Sequence, residues 1–324
     1  MTSNKEPHHP HDKGYKQLLS NKRVFLELIK TFVREDWVKE IDEGDLVKVD
    51  KSYVLQDFSE KEADIVYRLR TKETSVIFYV LLELQSTVDY TMPFRLLLYM
   101  TEIWRDAYNN TPQNERERKG FRLPAIIPAV LYNGAGRWTA STNFKEMLSG
   151  YEKFQKHILN FSYILFDVNR YSEEELYRAA NLISSVFVLD QTMGHRELIR
   201  RLKKLIGVLN KLTPDEFKQI MTWLKNAVRP KMPKYLQKKV DRILEVSNPW
   251  EVEIMITNIE LALDEMKREA LREGEMEGKM EGKMEGKMEV AMAALKKGLP
   301  VDVVAEITGL PVETVLKLKN QLEN

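Results

Sequence analysis

Two strand-like segments joined by a short polar turn constrain this chain more than any other feature. The first reads Ala63-Asp64-Ile65-Val66-Tyr67-Arg68-Leu69 and the second Val76-Ile77-Phe78-Tyr79-Val80-Leu81-Leu82-Glu83-Leu84-Gln85-Ser86. Both are rich in β-branched and aromatic residues, the composition of strands. Thr71 to Ser75 between them has the length of a hairpin turn. A turn centred near Glu73 sets Asp64 about opposite Glu83 in an antiparallel register. Glu83 and Gln85 are two residues apart and share a strand face. Two carboxylates and an amide then converge at one end of the hairpin. Carboxylates in a hydrophobic strand are costly to bury unless something positive sits between them. A divalent metal satisfies that demand, and Mg²⁺ prefers one or two carboxylates completed by water and phosphate oxygens.

At 324 residues, with 43% hydrophobic residues, the chain suits one large domain plus an accessory piece and can bury a real core. It has no cysteine, which excludes a disulfide framework, a thiolate zinc site and a cysteine nucleophile. That agrees with a reducing, cytoplasmic location. The first residues lack the apolar core of a secretory signal, and no apolar run is long enough to span a bilayer. The net charge of +1 argues against a uniformly basic nucleic-acid binder, but its distribution is uneven. From His195 to Arg242 there are 14 Lys+Arg against 4 Asp+Glu, and from Ile243 to Glu289 6 against 13. The basic block could supply phosphate contacts, which carry most sequence-independent DNA affinity; solvated helix faces are an equal alternative.

Along the chain, residues 1–10 read as disordered. Asp12 to Phe32 is an amphipathic helical region, with Leu18, Leu19, Phe25, Leu28, Ile29 and Phe32 at mostly helical spacing. A further strand is expected near Leu46 to Leu55. Thr91 to Tyr108 is a strong helix with Phe94, Leu97, Leu98, Thr101 and Trp104 along one side and Pro93 near its start. Leu123 to Tyr132 is strand-like, but Pro124 and Pro128 suggest an edge or strand ends. A short strand from Tyr163 ends at Asp167. After Ser172, which forms a capping box with Glu175, helices are expected at 173–189, 195–210, 214–227 and 233–246, and another from Pro249-Trp250.

From Gly274 to Glu289 the sequence repeats every four residues, with Gly at 274, 278, 282 and 286 and Met at 276, 280, 284 and 288. Four residues advance about 400° on a helix, so each stripe winds slowly. Each Gly costs about 1 kcal/mol relative to Ala, and Glu-to-Lys pairs at suitable spacing return a few tenths each. The segment reads as a marginal helix: a tolerant linker, or a helix that associates through its Met stripe. In the final module, Ala305, Gly309 and Val315 fall at the small–Gly–β-branched spacing of a helix-turn-helix. The last helix carries only Lys317 and Lys319 as cations, and no Arg able to grip guanine.

The spacing D-x18-E-x-Q resembles the PD-(D/E)XK nuclease active site with Gln at the usual lysine position. Other stretches are similar to one branch of that superfamily, the Rpn recombination-promoting nucleases, often labelled transposases. These are His11-Asp12-Lys13 with Tyr15-Lys16, Pro93-Phe94-Arg95-Leu96-Leu97-Leu98-Tyr99-Met100, Pro128-Ala129-Val130-Leu131-Tyr132-Asn133-Gly134, the Glu-Gly-Lys-Met repeat and the unit ending Thr308-Gly309-Leu310. The resemblance runs from about residue 9 to the C-terminus. It implies an α/β, restriction-endonuclease-like mixed sheet flanked by helices, with a helical extension and a small helix-turn-helix-like module. The expected divisions are 1–10, a nuclease core at 11–170, the extension at 171–250, a helix and repeat linker at 251–289, and the module at 290–324.

The implied activity is Mg²⁺-dependent (Mn²⁺ also serving) DNA endonuclease cleavage that promotes recombination. Asp64, Glu83 and Gln85 are the catalytic candidates, and Asp64, Glu83 and the Leu84 carbonyl the metal ligands. A lysine normally orients the water and offsets charge; Gln85 can do only the first, so the cation is unassigned among Arg68, Lys61 and Arg95. Asp12 and Glu27 on the N-terminal helical region are accessory acids. Lys13, Lys16, Arg95, Lys317 and Lys319 are candidate phosphate contacts. DNA is the expected partner, although nothing reads or rejects a 2′-hydroxyl, and a homodimer suits double-strand cleavage. A decayed nuclease acting as a DNA-binding or oligomeric protein is the alternative. His8, His9 and His11 suit an adventitious metal better than a catalytic one. There is no G-x-S-x-G for a serine triad and no P-loop for ATP.

Overall fold

The computed structural model describes residues 10–49, 65–70, 77–191, 195–227 and 234–323. Among them, five strands form one sheet in the order β1-β2-β3-β4-β5: β1 (Leu46–Lys48), β2 (Ile65–Arg70), β3 (Ile77–Gln85), β4 (Ala125–Tyr132) and β5 (Ile164–Asp167). The sheet is mixed. β1, β2 and β3 are antiparallel neighbours, and β4 and β5 continue in parallel with β3. Ile65 pairs with Leu82 and Tyr67 with Val80, the register that a turn centred on residues 73–74 demands. The expected turn itself, and Asp64, lie outside the described residues.

Side-chain alternation gives the sheet two different faces. Val66 and Val130 point into a cluster with Met92, Leu96, Tyr99, Met100 and Ile103 of α3 (Met92–Asn109). Tyr67 points the opposite way, stacking on Phe25 with ring centroids 4.1 Å apart and donating its hydroxyl to the carbonyls of Leu19 and Ser20. That face is covered by α1 (Pro10–Leu19) and α2 (Lys22–Phe32). The single N-terminal helical region is in fact two helices, because Asn21 caps α2 by accepting from the Arg23 amide.

On α3 the buried stripe is Met92, Arg95, Leu96, Tyr99, Met100 and Ile103, whereas Phe94 is 41% exposed and Thr101 faces solvent. The helix is apolar on both sides, so periodicity offers two stripes. The choice falls on the one containing an arginine because that arginine meets a buried carboxylate. β4 is likewise an inner strand and not an edge. Pro128 pairs with Leu81 of β3, and the ladder to β5 starts one residue later at Ala129. The proline therefore sits where β4 has a neighbour on one side only.

α4 (Gln113–Arg116) and α5 (Tyr151–Phe154) are single turns. The next helical stretch is also split. α6 (Glu173–Ala179) ends at Ala180, whose φ is +47°, and Asn181 caps α7 (Leu182–Asp190). Every residue of α7 is buried. It is followed by α8 (His195–Leu209), α9 (Pro214–Ala227) and α10 (Lys234–Val246). Tyr15 of α1 packs edge-on against both Phe187 of α7 and Trp223 of α9. The expected boundary near residue 170 is thus not a structural break, since these helices complete the core on which α1 rests. One compact unit extends through Glu260 and a second runs from Leu261.

α11 (Val252–Lys296) runs unbroken through the whole repeat, so of the two readings the segment takes the helical one. Apart from Glu275 and Lys279 at its start, the repeat's neighbouring Glu and Lys residues are separated by two or six positions and not by three or four, so the expected stabilising pairs number one and like charges recur at i,i+4. In the second unit, α12 (Val301–Thr308) and α13 (Val312–Glu323) are joined at Gly309, whose φ is +63°. Ala305, Leu310, Val315 and Leu318 pack with Ala291 and Val304 in a small core. Nothing lies within 4 Å of a Cβ added at Gly278 or Gly282. The Gly278→Ala/Gly282→Ala variant is expected to raise stability of the repeat helix by about 1 kcal/mol per site, read as a gain in helical circular dichroism on warming.

Candidate active site

Glu83 is 1% exposed near the carboxyl end of β3, opposite Val130 of β4 and on the face that meets α3. A charge so placed needs a partner, and Arg95 provides it. Its guanidinium donates to Glu83 Oε2 at 3.0 Å and to Asp89 Oδ2 at 2.7 Å, and Arg95 itself is 6% exposed. Asp89 sits in the turn before α3, where it also accepts from the Thr91 amide and hydroxyl at 2.8 and 2.6 Å. The side-chain acceptor fixes the start of α3 so that Arg95, one turn in, faces the sheet.

The electrostatics follow this arrangement. Burial acts to lower the Arg95 pKa, but the Glu83 charge and bonds to Asp89 and Tyr99 outweigh it and raise it. Burial acts to raise the Asp89 pKa, but bonds from Thr91 and Arg95 hold it below the usual carboxylate value. Asp89 was not anticipated from sequence. The available signal was an Asx turn, Asp89-Tyr90-Thr91, directly before Met92-Pro93.

The next row of the same face carries Gln85, Tyr132 and Asp167, which are in register across β3, β4 and β5. Gln85 is half-buried. Its carbonyl accepts from the Asn133 amide at 3.1 Å. The Asn133 side chain donates to Asp190 Oδ2 at 2.9 Å, and the Tyr15 hydroxyl donates to the same oxygen at 2.8 Å. Asn169 donates to the carbonyls of Asn133 and Gly134. A Cβ at Gly134 would lie 2.2 Å from the Tyr132 hydroxyl, so any side chain there would push the Tyr132 ring aside. Desolvation raises the Asp167 pKa from its ordinary 3.8, against amide bonds from Trp138 and Asn169 and the charges of Arg170 and Arg137. Asp167 Oδ1 is buried without a hydrogen bond.

The other expected residues are dispersed. Asp64 lies outside the described residues, and Lys61 with it. Asp12 and Lys13 belong to α1, but their side chains are likewise not described. Lys16 and Arg68 are exposed, as are Lys317 and Lys319 on α13 in the second unit. Arg95, expected among phosphate contacts, is buried in its ion cluster. Glu27 is engaged on the other side of the sheet. Burial raises its pKa, while the Leu182 and Ile183 amides at the start of α7 lower it, so it acts there as a helix-terminal acceptor. Among the described residues no group of three or more His, Asp or Glu side chains could hold a metal ion. No described helix is long and apolar enough to cross a membrane. A cavity of about 490 Å³ beside Phe32, Arg34, Tyr171 and Arg178 is a separate feature whose arginines already pair with Glu175 and Glu174.

The fold and this cluster define an α/β sheet protein with a buried acid near the carboxyl end of its central strand. The chain belongs to the family described as "Putative transposase, YhgA-like", whose model matches residues 9–220. It is 26% identical over 127 residues to the recombination-promoting nuclease RpnD of Escherichia coli O157:H7, covering 39% of this chain and 46% of that protein. It is 21% identical over 202 residues to the recombination-promoting nuclease RpnC of Escherichia coli K12, covering 62% and 64%. It is also 21% identical over 215 residues to the inactive recombination-promoting nuclease-like protein RpnE of the same strain, covering 63% of each. The chain thus spans between about half and just under two thirds of these relatives. No solved structure matches it.

Two outcomes test the cluster. Arg95→Leu removes the guanidinium from the buried Glu83 carboxylate, and should cost about 3–5 kcal/mol, read as a fall in denaturation midpoint. The double variant Glu83→Leu/Arg95→Leu should recover most of that loss; simple additivity would show that the two groups do not act as a pair. For Asp167, the raised pKa means that the folded state holds more protons than the unfolded between 3.8 and the raised value. Stability therefore falls as pH climbs through that window, and the deficit persists at neutral pH. Asp167→Asn should raise Tm at pH 7, and the gain should vanish below the ordinary carboxylate pKa.

Proposed function

We propose that this chain is a divalent-metal-dependent DNA endonuclease on a PD-(D/E)XK-type core, cutting DNA in a way that promotes recombination. The observation that carries this reading is Glu83. It is a buried carboxylate on the central strand, with Gln85 on the same face and a buried guanidinium against it. The order of helix, three antiparallel strands, helix and a fourth strand parallel to the third is in keeping with such a core. Ile65 pairs with Leu82; in the sequence Asp64 directly precedes the first and Glu83 directly follows the second.

The donor set fits a hard cation. Carboxylates at Glu83 and Asp64, the Leu84 carbonyl and the Gln85 amide are all oxygen donors, the kind Mg²⁺ and Mn²⁺ take. A bound divalent cation neutralises the scissile phosphate and lowers the pKa of a nucleophilic water. In this reading Asp64 and Glu83 hold the cation and Gln85 orients the water by hydrogen bonding. Arg95 carries the positive charge that Gln85 lacks and holds Glu83 in place from behind. Asp12 is the accessory acid in the N-terminal helix. Lys13 and Lys16 of α1, with Lys317 and Lys319 of a helix-turn-helix-like C-terminal pair, contact the DNA backbone.

A second reading has its own observation. Arg95 already neutralises Glu83, which is what a structural ion pair in a catalytically weak or inactive DNA-binding protein would show. Cleavage of supercoiled plasmid by wild type, Asp64→Ala and Glu83→Gln, in Mg²⁺, Ca²⁺ and EDTA, separates the two. Nicking by wild type in Mg²⁺ that falls at least about a hundredfold in either variant is the expected result. DNA retained by folded wild type without cleavage in any divalent metal would establish the inactive reading.

A further inference from the structure

Residues 274–285 of the repeat in α11 form a helix that no described residue of its own unit covers. Residues 274–285 are exposed wherever their side chains are described, with Met276, Met280 and Met284 exposed to 58%, 71% and 42%. Met288 by contrast packs against the small core of the C-terminal helices. A polar helix exposed all round needs many favourable i,i+4 pairs or a partner. The repeat has one such pair, Glu275 with Lys279, and beyond it Glu277, Glu281 and Glu285 follow one another at i,i+4, as do Lys279, Lys283 and Lys287. Like charges at that spacing oppose the helix, and the glycines oppose it further.

The arrangement of the stripes names the partner. At about 100° per residue, the Glu three before each Met lies about 60° to one side of it, and the Lys three after lies about 60° to the other. Met280, for example, has Glu277 on one flank and Lys283 on the other. Each Met seam is thus edged by an acidic ridge and a basic ridge. In a parallel pair related by a two-fold axis along the helices, the acidic edge of one faces the basic edge of the other on both sides. In an antiparallel pair, acid faces acid and base faces base. The charge pattern is self-complementary in one orientation only.

We propose that the Glu-Gly-Lys-Met segment pairs in parallel and in register with the same segment of a second copy of this chain, through Met276, Met280 and Met284. Opposed Glu and Lys ridges of the two copies replace the like-charge repulsion within each. Ridges at i±4 interlock at a steep crossing of about −50°, and a period above 3.6 winds the seam right-handed. The contact is therefore a few turns long, which matches the length of the repeat. This pairing is independent of the nuclease reading.

The test uses the full chain, which has no cysteine of its own. Met276→Cys, Met280→Cys and Met284→Cys should each form a disulfide-linked dimer on mild oxidation. Antiparallel pairing would link Met280→Cys alone, or a mixture of Met276→Cys with Met284→Cys, and would overturn the proposal. Sedimentation at micromolar concentration should show a dimer that the Lys279→Glu/Lys283→Glu variant weakens by about tenfold or more. Mixing that variant with Glu277→Lys/Glu281→Lys should restore pairing, which a misfolded variant could not do. A wild type that stays monomeric, or a dimer indifferent to both charge changes, would sink the idea. Gly278→Ala/Gly282→Ala should leave the dimer intact; its loss would place the seam on the glycine face instead.

Discussion

The fold depends on a carboxylate placed where a carboxylate should not be. Glu83 occupies an inward position of the central strand, beside Val130 and across from an apolar helix. Its charge would be prohibitive there alone. The Arg95 fork, with Asp89 on its other prong, makes that position tenable and orients α3 at the same time. A lysine could not serve equally, since one ammonium lacks the planar, two-pronged geometry that bridges two acids. The cluster brings specificity more than stability, because buried ion pairs seldom outperform apolar packing. What it secures is which side of α3 meets the sheet.

The opposite face reaches the same place by another route. Tyr15, held between Phe187 and Trp223, donates to Asp190, and Asp190 receives Asn133. Asn133 in turn donates its amide to the carbonyl of Gln85. A chain of hydrogen bonds thus runs from the N-terminal helix through α7 to the end of β3. Glu83 and Gln85 are two residues apart, one anchored by α3 and the other by helices across the sheet. Both layers must be in place before this strand end is rigid, which is the condition for a preorganised site.

These relations set what could be read from sequence. The hairpin register was legible because few residues separate the two strand-like segments in the sequence, so pairing follows from counting. Gly309 and the Ser172 cap were legible because each is a local conformational demand. The buried side of α3 was not. Periodicity ranks stripes by hydrophobicity, and the true stripe contains Arg95, whose partner lies on another strand. Glu27 was misplaced for a related reason: an acid on an amphipathic helix gives no hint that the amides of Leu182 and Ile183 are its destination. Pro128 misled because edge and centre are properties of half a strand here, and β5 is too short to flank all of β4. The repeat offers fewer ion pairs than its composition suggests, because after Glu275 and Lys279 its spacing sets like charges at i,i+4.

Charge counting gives the proposed metal reading its remaining support. Glu83, Asp89 and Arg95 together carry one net negative charge. Adding the Asp64 carboxylate makes two, which one divalent cation balances. A lysine at position 85 would have left such a cation over-compensated, because Arg95 already contributes a buried positive charge on the same face. In that proposed reading Gln85 and Arg95 share one task. The guanidinium that supports Glu83 makes a second cation at residue 85 unnecessary, and the neutral amide keeps a hydrogen-bonding group where water would be oriented. In the proposed reading, a glutamine at residue 85 is compatible with metal-dependent cleavage on this count.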